Sequence, residues 1–226
     1  MANFKQFIPF ITTWEGGLTG NPSDSASSNP APCGYDPKYD APYHTNKGIT
    51  WTTFKGNADK VGYEASCSNF LEMPQNIWEG IYKQRYWDRV GGDLIKNQAI
   101  ANAYVSWAWG SGVGGAKNLM QKMLKKEYGA TSNEVNTNSQ IVNVLNMLSK
   151  QNAQKLYNNM IAYRRQFFLD ISEPGTANAQ FRRGWLNRLN DFAAKNAQFV
   201  TPSKTALVVI LLMAVGAAVY IKTKTQ

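Results

Sequence analysis

The chain of 226 residues holds one histidine, His44, and two cysteines, Cys33 and Cys67. A zinc peptidase or amidase needs two or three histidine ligands, so that class is excluded and no metal is expected. A Cys–His nucleophile pair can be drawn, but neither cysteine stands in the apolar helix-start setting that activates a thiolate. The two cysteines either form one disulfide outside a reducing cytoplasm or remain free buried thiols. Charged residues are few, at 17%, yet 43% hydrophobic content excludes a disordered tail. There is no dense Lys/Arg tract and no nucleic-acid motif, so nucleic acid is not an expected partner. Gly110–Gly115 matches GxGxxG, but it follows a helical run where a dinucleotide site needs a strand. Ala116 also stands where a phosphate-binding loop needs lysine. The segment reads as a glycine turn between packed helices.

Positive charge and aromatic residues are what the chain does have. The net charge is +9, and +6 of it remains once Lys204, Lys222 and Lys224 of the C-terminal tail are set aside. Such an excess favours a polyanion such as anionic lipid or a bacterial wall. Aromatics at 12% suit a packed core and a carbohydrate groove alike. Thr205–Ile221 runs seventeen residues without a charge, bracketed by Lys204 and Lys222. A membrane span needs ~20 apolar residues, with a lower limit of roughly 17. The flanking lysines can snorkel and Tyr220 sits at interfacial depth. Residues 204–222 are therefore predicted to form a single transmembrane helix, followed by a short basic tail over 223–226. Lysines on both sides leave the orientation open. No signal-peptide pattern is present at the N-terminus.

Periodicity predicts a mainly α chain with one long early loop. Phe4, Phe7, Ile8, Ile11 and Trp14 recur at helical spacing and predict a helix over 3–15 that ends at Glu15. Residues 18–47 are rich in Pro, Ser, Asn, Asp and Gly and show no period. Short strands could lie in or beside this loop, for example around Lys47 to Trp51. From Pro74 the stripe Ile77, Trp78, Ile81, Tyr82 and Arg85 predicts a helix. Further helices are expected over 97–109, 116–127, 138–170 and 177–199, with Pro174-Gly175 as a breaker.

Glu15 is the acid whose setting is unusual. It follows Trp14 and precedes Gly16-Gly17 and then a polar loop. Apolar neighbours disfavour the charged carboxylate, which is what a glycosidase general acid requires. Trp14-Glu15-Gly16-Gly17, Asn21, Asp24 and then Thr45-Asn46-Lys47-Gly48-Ile49-Thr50 resemble the N-terminal signature of glycoside hydrolase family 108. These are N-acetylmuramidases of the lysozyme-like superfamily, from phages and bacteria. Tyr82 to Asp88, Ala103 to Gly112, Leu119-Met120-Gln121 and Phe181 to Arg188 continue the resemblance in order, so that it covers residues 4–195.

The resemblance implies an α+β lysozyme-like fold with a small β element possible in the early loop. It implies cleavage of the β-1,4 bond between N-acetylmuramic acid and N-acetylglucosamine, without a cofactor. Domain 1–200 then divides into a catalytic lobe over 1–115 and a helical part over 116–200. Glu15 is the implied general acid, with a loop Asp and Thr45 holding the attacking water. The family's Asp lies nine residues after the Glu and five before the Thr. Asp24 meets the first spacing and Asp40 the second, because about sixteen residues are inserted here. Asp24 is preferred on its Asn21-Pro22-Ser23 neighbourhood. Trp14, Asp40, Asn46, Lys47 and Ser106 are the expected substrate-binding residues.

Ser106 and Gly110 stand where the family carries Asp and Asn, which leaves a lytic transglycosylase using Glu15 alone as an alternative. A non-catalytic wall-binding or structural membrane protein on the same scaffold is a second. The family's Asp-Gly element is missing near Thr131 to Asn138. Peptidoglycan is the expected partner, together with a lipid membrane through 205–221. A virion membrane, with other virion proteins nearby, and a host inner membrane both suit the anchored enzyme.

Overall fold

The computed structural model describes residues 1–14 and 16–200. Glu15 and the predicted membrane helix over 204–222 lie outside the described residues. Two compact units form, Phe4–Arg89 and a second made of Met1–Asn3 with Val90 onward.

The first unit opens with helix α1, Phe4–Thr12, whose Phe4, Phe7 and Ile11 are buried. It stops before the predicted end at Glu15, and Trp14 is 40% exposed instead of extending the apolar face. Pro9, inside the helix, has no N–H to give. The Thr12 and Thr13 hydroxyls then bond back to Ile8 O and Pro9 O, and Trp14 N–H closes a tighter turn on Ile11 O.

The early loop holds more strand than its composition suggests. Strands β1 (Leu18–Thr19), β2 (Tyr35–Asp36), β3 (Ala41–Pro42), β4 (Thr45–Asn46) and β5 (Ile49–Thr50) have two residues each. They form an antiparallel sheet in the order β1-β4-β5 and a separate β2–β3 hairpin. Leu18 pairs with Asn46 and Thr19 with Thr45, while Thr45 pairs with Thr50. A two-residue strand has no alternation to detect, so only β5, within the 47–51 stretch, coincides with a predicted strand.

Helix α2, Trp51–Lys55, is capped by Thr50, and α3, Cys67–Leu71, by Ser66. Their Trp51, Phe54 and Phe70 rings lie 5.4–6.0 Å apart. Helix α4, Gln75–Tyr82, buries Ile77, Trp78, Ile81 and Tyr82 as predicted. It then passes through a π-helical turn, Lys83–Trp87, into α5, Asp88–Val90. The wider turn shifts the apolar stripe along the chain. Trp87 is buried where Arg85 would have continued the spacing, and Arg85 is exposed. Phe4 and Phe7 pack on Tyr82 and Trp87 at 5.5–6.1 Å.

Cys33 and Cys67 are joined in a disulfide that closes a separation of 34 residues. This takes up both thiols and removes the Cys–His pair.

In the second unit α6 runs Gln98–Tyr128 and breaks at Gly112 (φ 70°, ψ 160°). The predicted six-residue glycine turn is thus a single kink, because one positive-φ glycine suffices to redirect the chain. Helix α7, Asn138–Ile171, begins with a reciprocal Thr137–Gln140 capping box. Helix α8, Arg182–Asn196, is flanked by tight turns at Ala179–Phe181 and Ala197–Phe199. Fully buried Asn102 donates to Asn196 Oδ1 at 2.7 Å, and Asn196 donates to Ala99 O at 2.9 Å, pinning α8 to α6. Among the described residues no helix is long and apolar enough to cross a membrane.

Cross-linking a loop of this length stabilises the fold by about 3–4 kcal/mol through the unfolded chain. A Cys33→Ser/Cys67→Ser double variant should lose about that much unfolding free energy in urea. Reductant should move the parent chain to the same midpoint; an unmoved midpoint would mean that the bridge does not form.

Candidate active site

The site is organised around the turn between β4 and β5. Lys47 (φ 46°) and Gly48 (φ 73°) both have left-handed backbone, as a two-residue type I′ hairpin demands. Glycine accepts this freely; lysine does not. Three bonds hold Lys47 in place. Its N–H donates to Gly17 O at 3.2 Å, its carbonyl accepts from Trp78 Nε1 at 2.8 Å, and its Nζ donates to Met73 O at 3.1 Å. Asn46, 3% exposed, gives both amide hydrogens to the end of α3, to Phe70 O at 2.7 Å and Leu71 O at 3.1 Å. Of its amide, only Oδ1 is left for a ligand, whereas Lys47 keeps two of its ammonium protons.

Thr45 is 8% exposed, and its Oγ1 lies 2.9 Å from Nδ1 of His44. His44 is 1% exposed, and its Nε2 lies 3.0 Å from Asn21 O. That same carbonyl accepts the Asp24 N–H at 3.0 Å. The imidazole therefore joins the turn that presents Asp24 to the strand that presents Thr45. Asp24 is exposed, and its Oδ1 accepts from Ala26 N–H at 2.9 Å, capping a short turn over Ser25–Ser28.

Asp40 sits elsewhere, at the end of the β2–β3 connection with left-handed backbone (φ 53°). It accepts a 2.6 Å hydrogen bond from the Tyr35 hydroxyl and thereby raises the Tyr35 pKa. The inserted segment is tied down at several points. Ala31 N–H donates to Tyr43 O at 2.8 Å, and the disulfide fixes Cys33 to α3. Asp36, 6% exposed, accepts from Gly20 N–H at 2.8 Å and Lys38 N–H at 3.0 Å. A side chain on Gly20 would stand 2.8 Å from Ala41 O and Pro42 O, so only glycine fits under the hairpin. Asp36 and His44 are the two positions that the motif spacing overlooks. Their signals are faint: an Asp-Pro turn pair, and a lone histidine beside the motif threonine.

Trp14 is exposed next to Gly16 and Gly17, where an added side chain would meet nothing within 4 Å. Packing gives no reason for these glycines, and the space beside them is open. Ser106 lies on α6 of the other unit, and its hydroxyl donates to Ala103 O at 2.8 Å. Gly110 has a packing reason, since the Arg164 guanidinium of α7 fills the place of any side chain there. Arg164 is 3% exposed and donates to Ser111 Oγ at 2.7 Å. Burial, and then the charge of Arg188, lowers its pKa.

Residues 8–112 match the family model "Glycosyl hydrolase 108", and residues 115–190 match "Predicted Peptidoglycan domain". The two matches support the glycoside hydrolase 108 assignment and a peptidoglycan-directed function. They meet at the Gly112 kink, and the second spans 131–138 even though the family's Asp-Gly pair is missing there. The solved structure described as Brucella abortus SagA is similar, with a TM-score of 0.59 and 21% identity, over 87% of this chain and 95% of that one. That likeness concerns the fold, mainly helical with a small sheet. Among curated proteins none matches this chain.

Left-handed backbone costs a residue with a side chain roughly 1–2 kcal/mol. Lys47→Gly should therefore unfold at higher urea than Lys47→Ala, by about 1 kcal/mol, since both lose the Met73 contact. The reverse order would mean that the turn is unstrained at this position.

Proposed function

We propose that this chain is a muramidase that hydrolyses the β-1,4 bond between N-acetylmuramic acid and N-acetylglucosamine while held at a membrane. The observation that carries this reading is the match of residues 8–112 to the glycosyl hydrolase model, with the peptidoglycan model directly behind it. Glu15 is assigned the general acid that protonates the leaving oxygen. Asp24 and Thr45 are assigned to the attacking water, with Asp24 taking its proton. The joining of their two segments through His44 supports Asp24 over Asp40. Trp14, Asn46 Oδ1, Lys47, Asp40 and Ser106 are assigned to the glycan.

Replacing a general acid costs 10²–10⁴-fold in typical enzymes. Glu15→Gln in the full chain should lower reducing-end release from peptidoglycan by about that factor. Wall binding without release by the parent chain would point to a non-catalytic wall-binding protein. A lytic transglycosylase is the second reading, because Ser106, whose hydroxyl donates to Ala103 O, supplies no carboxylate at the place where the family carries an acid. Mass spectrometry separates the two, since only a transglycosylase leaves anhydro ends.

The membrane assignment rests on the uncharged stretch 205–221 between Lys204 and Lys222. A single C-terminal anchor would keep the enzyme beside the wall, in a virion membrane with other virion proteins or in a host inner membrane. The full chain should co-sediment with lipid vesicles and a chain ending at residue 200 should not. Equal sedimentation of the two would remove the anchor.

A further inference from the structure

We infer that His44 is a positioning residue that fixes the Thr45 hydroxyl as a hydrogen-bond acceptor facing the reaction. This rests on the muramidase reading above and adds a residue that its acid, base and water-binding groups do not include.

The hydrogen-bond arithmetic leaves one arrangement for a neutral ring. Asn21 O is a carbonyl and can only accept, so the His44 nitrogen 3.0 Å away, Nε2, carries the proton. In a neutral imidazole the other nitrogen is then bare. Nδ1, 2.9 Å from Thr45 Oγ1, must accept, and the threonine hydroxyl must donate to it. The ring is 1% exposed and neither nitrogen is bonded to a carboxylate.

The consequence falls on Thr45. A free hydroxyl rotates and can donate or accept. Here its only hydrogen is committed to Nδ1, and both oxygen lone pairs are left for a partner that donates. A water held there gives Thr45 one hydrogen. Its second hydrogen is left for a base and its lone pair for the anomeric carbon. A threonine free to donate would instead take one of the water's two lone pairs, lower its nucleophilicity and turn it away from the base. The preorganisation has a fixed footing. His44 N–H donates to Thr19 O at 3.0 Å, and its carbonyl accepts from Trp51 N–H at 2.8 Å, so the backbone beneath the ring is held from both sides.

Two substitutions divide the ring's functions. Asparagine places Oδ1 where the imidazole has Nδ1 and can still accept from Thr45. Glutamine places a donor where the imidazole has Nε2 and keeps the Asn21 bond, but leaves Thr45 free to turn. With the full chain on peptidoglycan, His44→Gln should lower kcat by about 10–100-fold with KM held within about threefold. His44→Asn should recover most of that kcat. Unfolding midpoints of both variants check that the ordering is not one of stability. Equal kcat in the two variants, or a His44→Gln enzyme at the parent rate, would overturn the inference.

A second measurement needs no activity. Because the chain has one histidine, a long-range proton–nitrogen spectrum of the labelled full chain contains a single ring pattern. The expected pattern at neutral pH is the Nε2-protonated tautomer, and a ring protonated at Nδ1 would overturn the inference. Glu15→Gln separates the failures. An inactive Glu15→Gln beside a fully active His44→Gln removes only the role of His44, whereas a parent chain that releases no reducing ends removes the muramidase reading and this inference together.

Discussion

The backbone of Lys47 is the point on which the small sheet depends. Strands of two residues cannot hold themselves by their own ladder, and isolated short hairpins are marginal in water. Here the β4–β5 turn is held from outside, by Gly17 O on one side and the Trp78 indole on the other. Asn46 adds two bonds to the end of α3, and Thr50 caps α2. The sheet is thus fixed by neighbouring helices, and the segment that leaves Glu15 is fixed by the sheet. A left-handed lysine persists because the surrounding bonds over-determine it.

The inserted segment faces the opposite problem. An excursion of about sixteen residues adds little closure entropy, because that cost grows only with the logarithm of length. Its danger lies in misplacing the two residues it separates, Asp24 and Thr45. The disulfide, the Ala31–Tyr43 bond and the Asp36–Gly20 bond each pin the excursion at a different point. The β2–β3 hairpin is therefore an appendage with its own fastening, and the β1–β4 pairing below it keeps a continuous register.

The helices are legible in the sequence where period and caps agree. The stripe through Ile77, Trp78, Ile81 and Tyr82 and the helical pattern over 138–170 both lead to observed helices. Legibility fails where a local side chain or a single residue changes the geometry. The Thr12 and Thr13 hydroxyls compete for α1 carbonyls, a π-helical turn moves the stripe from Arg85 to Trp87, and Gly112 alone does what six residues suggest. In the site, the Thr45-Asn46-Lys47 motif is visible as a string of types. Its division of labour is not, since most of the hydrogen bonds of Asn46 and Lys47 go to α3, α4 and the segment between them. His44 is hidden for a related reason. A lone histidine fits neither a metal set nor a nucleophile pair, and a hydrogen-bond role has no spacing to reveal it.

The geometry also bears on which acid follows Glu15 in the family pattern. Spacing from Glu15 selects Asp24 and spacing to Thr45 selects Asp40, so counting alone cannot decide across an insertion. Hydrogen bonds can. The Asn21 carbonyl receives both the Asp24 amide and the imidazole that orders Thr45, so movement of one segment is felt by the other. Asp40 instead bonds Tyr35 within the appended hairpin, which carries its own fastening. A base must keep its distance to the attacking water through each cycle, and shared anchorage is what holds such a distance. Shared anchorage therefore supports the proposed role of Asp24 and places Asp40 with the hairpin's own fastening.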